Sequence, residues 1–185
     1  MRAIKFSQRS SKQHSRGLSL IELLTCLCIS AVLLSQAVPS LERMKQRQRL
    51  NLLAQTLMLD LKQARHEALL STNSVHLDFD QQSQGACYII YSGPAKQCQC
   101  DASGAPVCTG GAKAIKSQWL PSQQKIGLKT KSSHLSFSAK QGAVTPAASI
   151  DLSTQDGDSV RQIISIAGRV RSCSPNASMG QYPTC

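Results

Sequence analysis

The chain has 185 residues and a mass of 19.9 kDa, enough for one ordinary domain and an appendage, so a multidomain enzyme is excluded. Hydrophobic residues make up 41% and aromatics only 4%, which requires an aliphatic core and argues against a partner surface of stacked rings. Twenty-one Lys and Arg against ten Asp and Glu give a net +11, a charge suited to polyanions or an anionic membrane surface.

Five of the basic residues, Arg2, Lys5, Arg9, Lys12 and Arg16, fall within the first 17 positions with no acid among them. The other 16 basic and 10 acidic residues leave +6 for the remainder. Residues 18–38 then form an apolar run broken by a single charge, Glu22, and a few small or polar side chains. At about 1.5 Å per residue that run makes a helix of about 31 Å, the length of a membrane span. A secretory signal has the same outline, and Ser35-Gln36-Ala37 offers a small-x-small site from which a domain beginning at Val38 would be released. Glu22 argues against that reading, because a carboxylate inside the span costs about 2.5–3.5 kcal/mol and has no use in an export signal. Its plain alternative is a headgroup-level acid favoured by the helix dipole. Cys26 and Cys28 read as small apolar fillers within the span.

Arg16-Gly17 followed by Leu18-Ser19-Leu20-Ile21-Glu22-Leu23-Leu24 resembles the prepilin cleavage and methylation motif of type IV pilins and type II secretion pseudopilins. The resemblance implies cleavage after Gly17 by a prepilin peptidase on the cytoplasmic side and methylation of the new amine on Leu18. It also implies retention of the helix, first as an inner-membrane anchor and then as filament core. Glu22 would then pair with the Leu18 amine of a neighbouring subunit and set the stagger of assembly. Pro39, twenty-second residue of the processed chain, fits the family, whereas Leu18 stands where phenylalanine is commonest and the 17-residue leader is longer than many. Four cations soon after the span, Arg43, Lys45, Arg47 and Arg49, leave only a narrow positive-inside bias for a cytoplasmic N-terminus. The even set of six downstream cysteines adds the weight of an oxidising periplasm.

Beyond the span, Leu50, Leu53, Ala54, Leu57, Leu61, Ala64 and Ala68 recur at helical spacing. The anchor helix is therefore expected to continue over 40–72, kinked at Pro39, with the basic cluster against lipid headgroups or forming a solvated face. From residue 73 the period changes to two, with strands expected at 75–79, 87–91, 115–120, 125–130, 134–138, 149–152 and 160–170. The Gly-, Pro- and Cys-rich stretch 93–112 reads as a stapled loop. The expected organisation is thus a leader (1–17), a membrane helix (18–39), its periplasmic continuation (40–72) and a β-rich domain (73–185). The fold class is α+β: a long N-terminal helix packed on antiparallel β-structure, as two small sheets or a sandwich. Three stretches, Asp60-Leu61-Lys62-Gln63-Ala64-Arg65-His66-Glu67-Ala68, Trp119 with Gly127, and Ile164-Ser165-Ile166-Ala167-Gly168-Arg169-Val170-Arg171, resemble the FimT/GspH branch of the pilin family. That branch comprises minor pilins and the H pseudopilin, and the resemblance implies a pilin-like fold.

No catalytic motif is present: there is no Gly-x-Ser-x-Gly, phosphate loop, dinucleotide fingerprint or His-Glu-x-x-His. Cys98-x-Cys100 with Cys108 and a histidine has the outline of a zinc site, but an exported chain favours disulfides, and no metal or cofactor is expected. Cys87, Cys98, Cys100, Cys108, Cys173 and Cys185 allow fifteen connectivities; Cys173 with Cys185, and Cys87 with one of the loop cysteines, are the pairings expected.

The remaining chemistry is cationic. In a regular strand Arg169 and Arg171 would share one face about 6.8 Å apart, with Gly168 allowing a bulge or turn, and such guanidiniums suit phosphate oxygens. Lys129 and Lys131 form a similar pair, with Lys125 in the same parity. The alternative is a solvated basic strand end. Gly168-Arg169-Val170-Arg171 resembles the C-terminal Gly-Arg-x-Arg element of FimT-type minor pilins, which implies duplex DNA binding during uptake. The expectation is therefore a minor pilin, single-pass in the inner membrane and then in a pilus. Its partners would be the prepilin peptidase, other pilins and duplex DNA. The second expectation is the H pseudopilin of type II secretion, which shares the architecture but contacts pseudopilins or secreted substrate.

Overall fold

The computed structural model describes residues 19–185; Gly17 and Leu18 lie outside them. The chain divides into two compact units, Met1–Leu41 and Glu42–Cys185. One helix, α1 (Leu20–Leu70), includes Pro39 within its length. In the first unit the helix is apolar enough to cross a membrane, with a mean hydropathy of 2.0 over its best 18-residue window and none of that window buried. Glu22 sits in the first turn and is exposed. The hydroxyls of Thr25, Ser30 and Ser35 donate to the carbonyls of Glu22, Cys26 and Val32 at 2.9, 2.8 and 2.7 Å. These three hydroxyls are thereby satisfied within the helix, as an apolar surrounding demands.

In the second unit α1 buries Leu50, Ala54, Leu57, Asp60, Leu61, Ala64 and Ala68, one stripe at spacings of three and four. Eleven strands follow: β1 (Val75–Gln82), β2 (Gly85–Ser92), β3 (Cys98–Cys100), β4 (Pro106–Cys108), β5 (Lys113–Pro121), β6 (Ile126–Thr130), β7 (His134–Phe137), β8 (Val144–Thr145), β9 (Ala148–Thr154), β10 (Ser159–Ile164) and β11 (Val170–Cys173). They build a five-stranded sheet in the order β5-β2-β1-β7-β8, a four-stranded sheet β11-β10-β9-β6, and a small hairpin β3-β4. The ladders between the named strands are antiparallel. The main core joins the helix stripe to the inner faces of both larger sheets through Leu77, Tyr88, Ile90, Phe137, Ile150 and Leu152.

One polar residue belongs to the buried stripe. Asp60 is 2% exposed; it accepts the Tyr88 hydroxyl at 2.7 Å and faces Lys116 Nζ at 2.5 Å. Its carboxylate thus clamps the helix to β2 and β5, and burial beside it raises the Tyr88 phenol well above its ordinary value.

Two sequence expectations change. The stretch 160–170 is two strands, because the Ser165 amide closes on the Arg169 carbonyl at 3.0 Å and Gly168 takes φ +72°, which turns the chain before β11. Residues 93–112 are a flap containing the hairpin β3-β4, with disulfides Cys87–Cys100 and Cys98–Cys108. The flap covers Ile89 and Tyr91 on the outer face of β2, a small second core with Trp119 at its margin. Cross-links suit an apolar cluster this small. A third disulfide, Cys173–Cys185, ties the C-terminal tail to the end of β11.

Candidate anion-binding face

Alternation in the four-stranded sheet sorts its side chains into two layers. Ile126, Leu128, Ile150, Leu152, Val160, Gln162 and Ile164 are buried and turn inward. Lys129, Asp151, Arg161, Ile163 and Arg171 hold the opposite parity. Strand register then sets rows across that outer face. Lys129 is level with Asp151, and Asp151 with Arg161. Ser149 is level with Ile163, and Ile163 with Arg171.

Within the first row the Arg161 guanidinium grips Asp151 through two hydrogen bonds of 2.6 and 2.9 Å, so this acid and this base are mutually consumed. Lys129, Lys131, Arg169 and Arg171 are exposed, and their charged ends have no hydrogen-bond or ion-pair partner among the described residues. Lys131 follows Thr130, which is level with Ile150, and so continues the row of Ser149, Ile163 and Arg171. From Lys131 to Arg171 is three inter-strand steps, about 14 Å. Between them runs a shallow groove lined by Lys129, Lys131, Ser149, Arg161 and Ile163. The face therefore presents unpaired cations at both edges of a sheet whose central carboxylate, Asp151, is already taken.

Arg169 and Arg171 do not share a strand, which corrects the same-face spacing expected from a continuous strand over 160–170. Arg171 is in β11, and Arg169 closes the loop between β10 and β11. That loop is tightly held: the Gly168 amide donates to the Ser165 carbonyl at 2.8 Å, and the Val144 amide to the Ile166 carbonyl at 2.8 Å. The Arg169 amide donates to Ser165 Oγ at 3.2 Å. Gly168 is buried. A Cβ there would overlap the Gly142 carbonyl oxygen and lie 2.8 Å from Arg65 Nε, so glycine is required for packing as well as for its positive φ. Lys125 also departs from expectation. It sits at φ +55° after a short 3-10 turn, outside the strand, so its parity with Lys129 carries no meaning.

Arg161 and Asp151 were missed by sequence reasoning aimed at basic pairs. The signal was available in the run Ser159 to Ile164, where buried Val160, Gln162 and Ile164 alternate with outward residues and so aim Arg161 at the groove. Elsewhere, His134 pairs with Asp78, whose other oxygen accepts the Tyr91 hydroxyl at 2.7 Å. His76 stacks on His134 with ring centroids 5.2 Å apart. These groups bind one another beneath the flap. No group of three or more His, Cys, Asp or Glu is placed to hold a metal among the described residues. What the outer face of the four-stranded sheet offers is charge at fixed spacing.

Residues 53–168 match the family described as "Type II transport protein GspH". The fold is similar to that of the Pseudomonas aeruginosa (strain PAO1) type IV minor pilin FimU in a P21 crystal form, with a TM-score of 0.51 and 20% identity over 68% of this chain and 88% of that one. The Vibrio cholerae minor pseudopilin EpsH of the type 2 secretion system is a more distant likeness, with a TM-score of 0.45 and 16% identity over 68% of this chain and 96% of that one. No curated protein sequence matches the chain. A family match across more than half of the chain, on a fold of one long N-terminal helix packed on antiparallel sheets, places this protein in the GspH family of minor pilins and pseudopilins.

Proposed function

We propose that the chain is a minor pilin of a type IV pilus that binds duplex DNA for uptake. Prepilin peptidase cuts it after Gly17, and the amine of Leu18 is methylated. The apolar helix then holds the subunit in the inner membrane with the Glu42–Cys185 unit on the periplasmic side, until Glu22 guides its entry among other pilins. DNA lies against the outer face of the four-stranded sheet, where Arg169 and Arg171 contact phosphates at one edge and Lys129 and Lys131 at the other.

The observation that carries this reading is that these four cations are exposed and unpaired while Arg161, between them, is neutralised by Asp151. Cations without a protein partner on a rigid sheet are suited to a polyanion. The separation of about 14 Å is comparable with the major groove of B-DNA, about 12 Å wide. The scarcity of aromatics leaves phosphate contact as the main term, so affinity should depend steeply on salt and little on base sequence.

The test is binding of the full chain in non-ionic detergent to a fluorescent duplex over a salt series. Two to four phosphate contacts give a slope of about −2 to −4 in log K against log salt. Arg169→Ala and Arg171→Ala should each make that slope shallower by about 1. A wild-type slope near zero, or substitutions that leave it unchanged, would remove DNA from the reading. A second reading, the H pseudopilin of type II secretion, is favoured by the description of the matching family. On that reading the same face contacts pseudopilins or secreted proteins.

A further inference from the structure

Arg65 lies on α1, near its end at Leu70, and its stem packs in a slot floored by two glycines distant in sequence. A Cβ on Gly142 would lie 3.1 Å from Arg65 Cγ; a Cβ on Gly168 would lie 2.9 Å from Cδ and 2.8 Å from Nε. Both glycines hold positive φ, +61° and +72°, and they lie against each other, a Cβ on Gly168 overlapping the Gly142 carbonyl oxygen. The slot leads the guanidinium to the base of the loop that carries Arg169, the residue directly after Gly168.

The head of this side chain is unanswered. Arg65 Nε is shielded from water and has no acceptor, and the guanidinium makes no hydrogen bond or ion pair among the described residues. Every neighbouring element was available to supply a partner and none does. Glu67 on the same helix makes no ion pair, the β7–β8 loop contributes the exposed cation Lys140, and the β10–β11 loop contributes Arg169. The Lys140 amide meanwhile takes the Ala68 carbonyl at 2.9 Å, satisfying one helix-end acceptor that Arg65 would otherwise serve. A half-buried guanidinium whose stem is closely packed and whose Nε has no acceptor is preorganised for an anion from outside the chain.

We propose that Arg65 is a third guanidinium of the phosphate-binding site, taking a DNA phosphate next to the one that Arg169 takes. This inference rests on the DNA-binding reading and adds to it a contact from the helix. It extends the site from the sheet edge onto the end of α1, so that bound DNA touches the loop, the strand and the helix together.

The first test uses the unaltered full chain in detergent, treated with an arginine-modifying dicarbonyl with and without a 20-base-pair duplex and read by peptide mass spectrometry. Arg65 should be modified in the free protein and protected by the duplex together with Arg169. Protection of Arg169 without Arg65, or an Arg65 that does not react even in the free protein, overturns the inference and leaves the DNA reading standing. If Arg169 is not protected either, the DNA reading itself fails. The second test is the salt slope of Arg65→Gln, expected to be shallower than wild type by about 0.9, one phosphate, with affinity several-fold weaker. Arg65→Lys should retain the slope. An Arg65→Gln protein with unaltered slope and affinity would make Arg65 a packing pillar only. The leader's cations are common to all these proteins, so the differences report residue 65.

Discussion

Replacing Gly168 by alanine separates two costs that usually come together. Gly168 and Gly157 both hold positive φ, +72° and +93°. An added Cβ at Gly157 meets nothing within 4 Å, whereas at Gly168 it meets the Gly142 carbonyl and Arg65 Nε and Cδ. Gly157→Ala should therefore show only the backbone term, about 1 kcal/mol for an L-residue held in the left-handed region. Gly168→Ala should add the cost of forcing a methyl into packed backbone, about 1–3 kcal/mol, for about 2–4 kcal/mol altogether. Urea unfolding of the oxidised Glu42–Cys185 unit, which holds both apolar clusters and all three disulfides, measures both variants on one scale. Because the methyl sits on the residue directly before Arg169 and presses on Gly142 and Arg65, duplex affinity should fall for Gly168→Ala and not for Gly157→Ala. Equal destabilisation of the two variants would refute the close approach at Gly168, and with it the glycine slot around Arg65.

Asp60→Ala should cost about 2–4 kcal/mol, because it leaves the buried Tyr88 hydroxyl unpaired and removes the partner of Lys116. Tyr88→Phe, which keeps the Asp60–Lys116 pair, should cost only about 1–2 kcal/mol; the reverse order in denaturant unfolding would contradict the clamp. Burial, and then the nearby His134, lower the pKa of His76, against the weaker pull of the Gly93 carbonyl and Asp78. The folded state then binds fewer protons than the unfolded one. Stability from this group is full above about pH 6.5 and falls as pH drops through the lower folded value. The stability difference between wild type and His76→Phe, followed by urea unfolding from pH 8 to 5, should shrink on acidification, and a difference that grows would reverse the sign assigned here.

The helix stripe was legible because its leucines and alanines repeat at 3.6-residue spacing over about five turns and face both sheets. Asp60 was not, since a carboxylate at a core position makes sense only once Tyr88 and Lys116 are beside it. The run from Val160 to Val170 keeps an alternating apolar pattern through Ile164 and Ile166, so periodicity alone reads one strand. The break comes from the φ of Gly168 and its approach to Gly142, a contact between residues far apart in the chain. The hairpin β3-β4 escaped for a different reason: strands of three residues are held by cross-links and carry no pattern of their own. Arg171, Lys129 and Lys131 were legible as charges, and the register supplied their common face. Arg65 carried no signal as a site residue, because its slot is built from positions 65, 142 and 168 and exists only after folding.

The most direct test of function is in cells that carry this protein as their sole copy, comparing wild type with Arg169→Ala/Arg171→Ala for uptake of labelled duplex DNA, surface filaments and protein secretion. The expected result is loss of uptake with filaments and secretion intact, since both arginines are exposed and no described residue depends on them for a side-chain contact. Unchanged uptake, or lost secretion with unchanged uptake, would contradict the DNA-binding minor pilin and assign the face to a secretion pseudopilin.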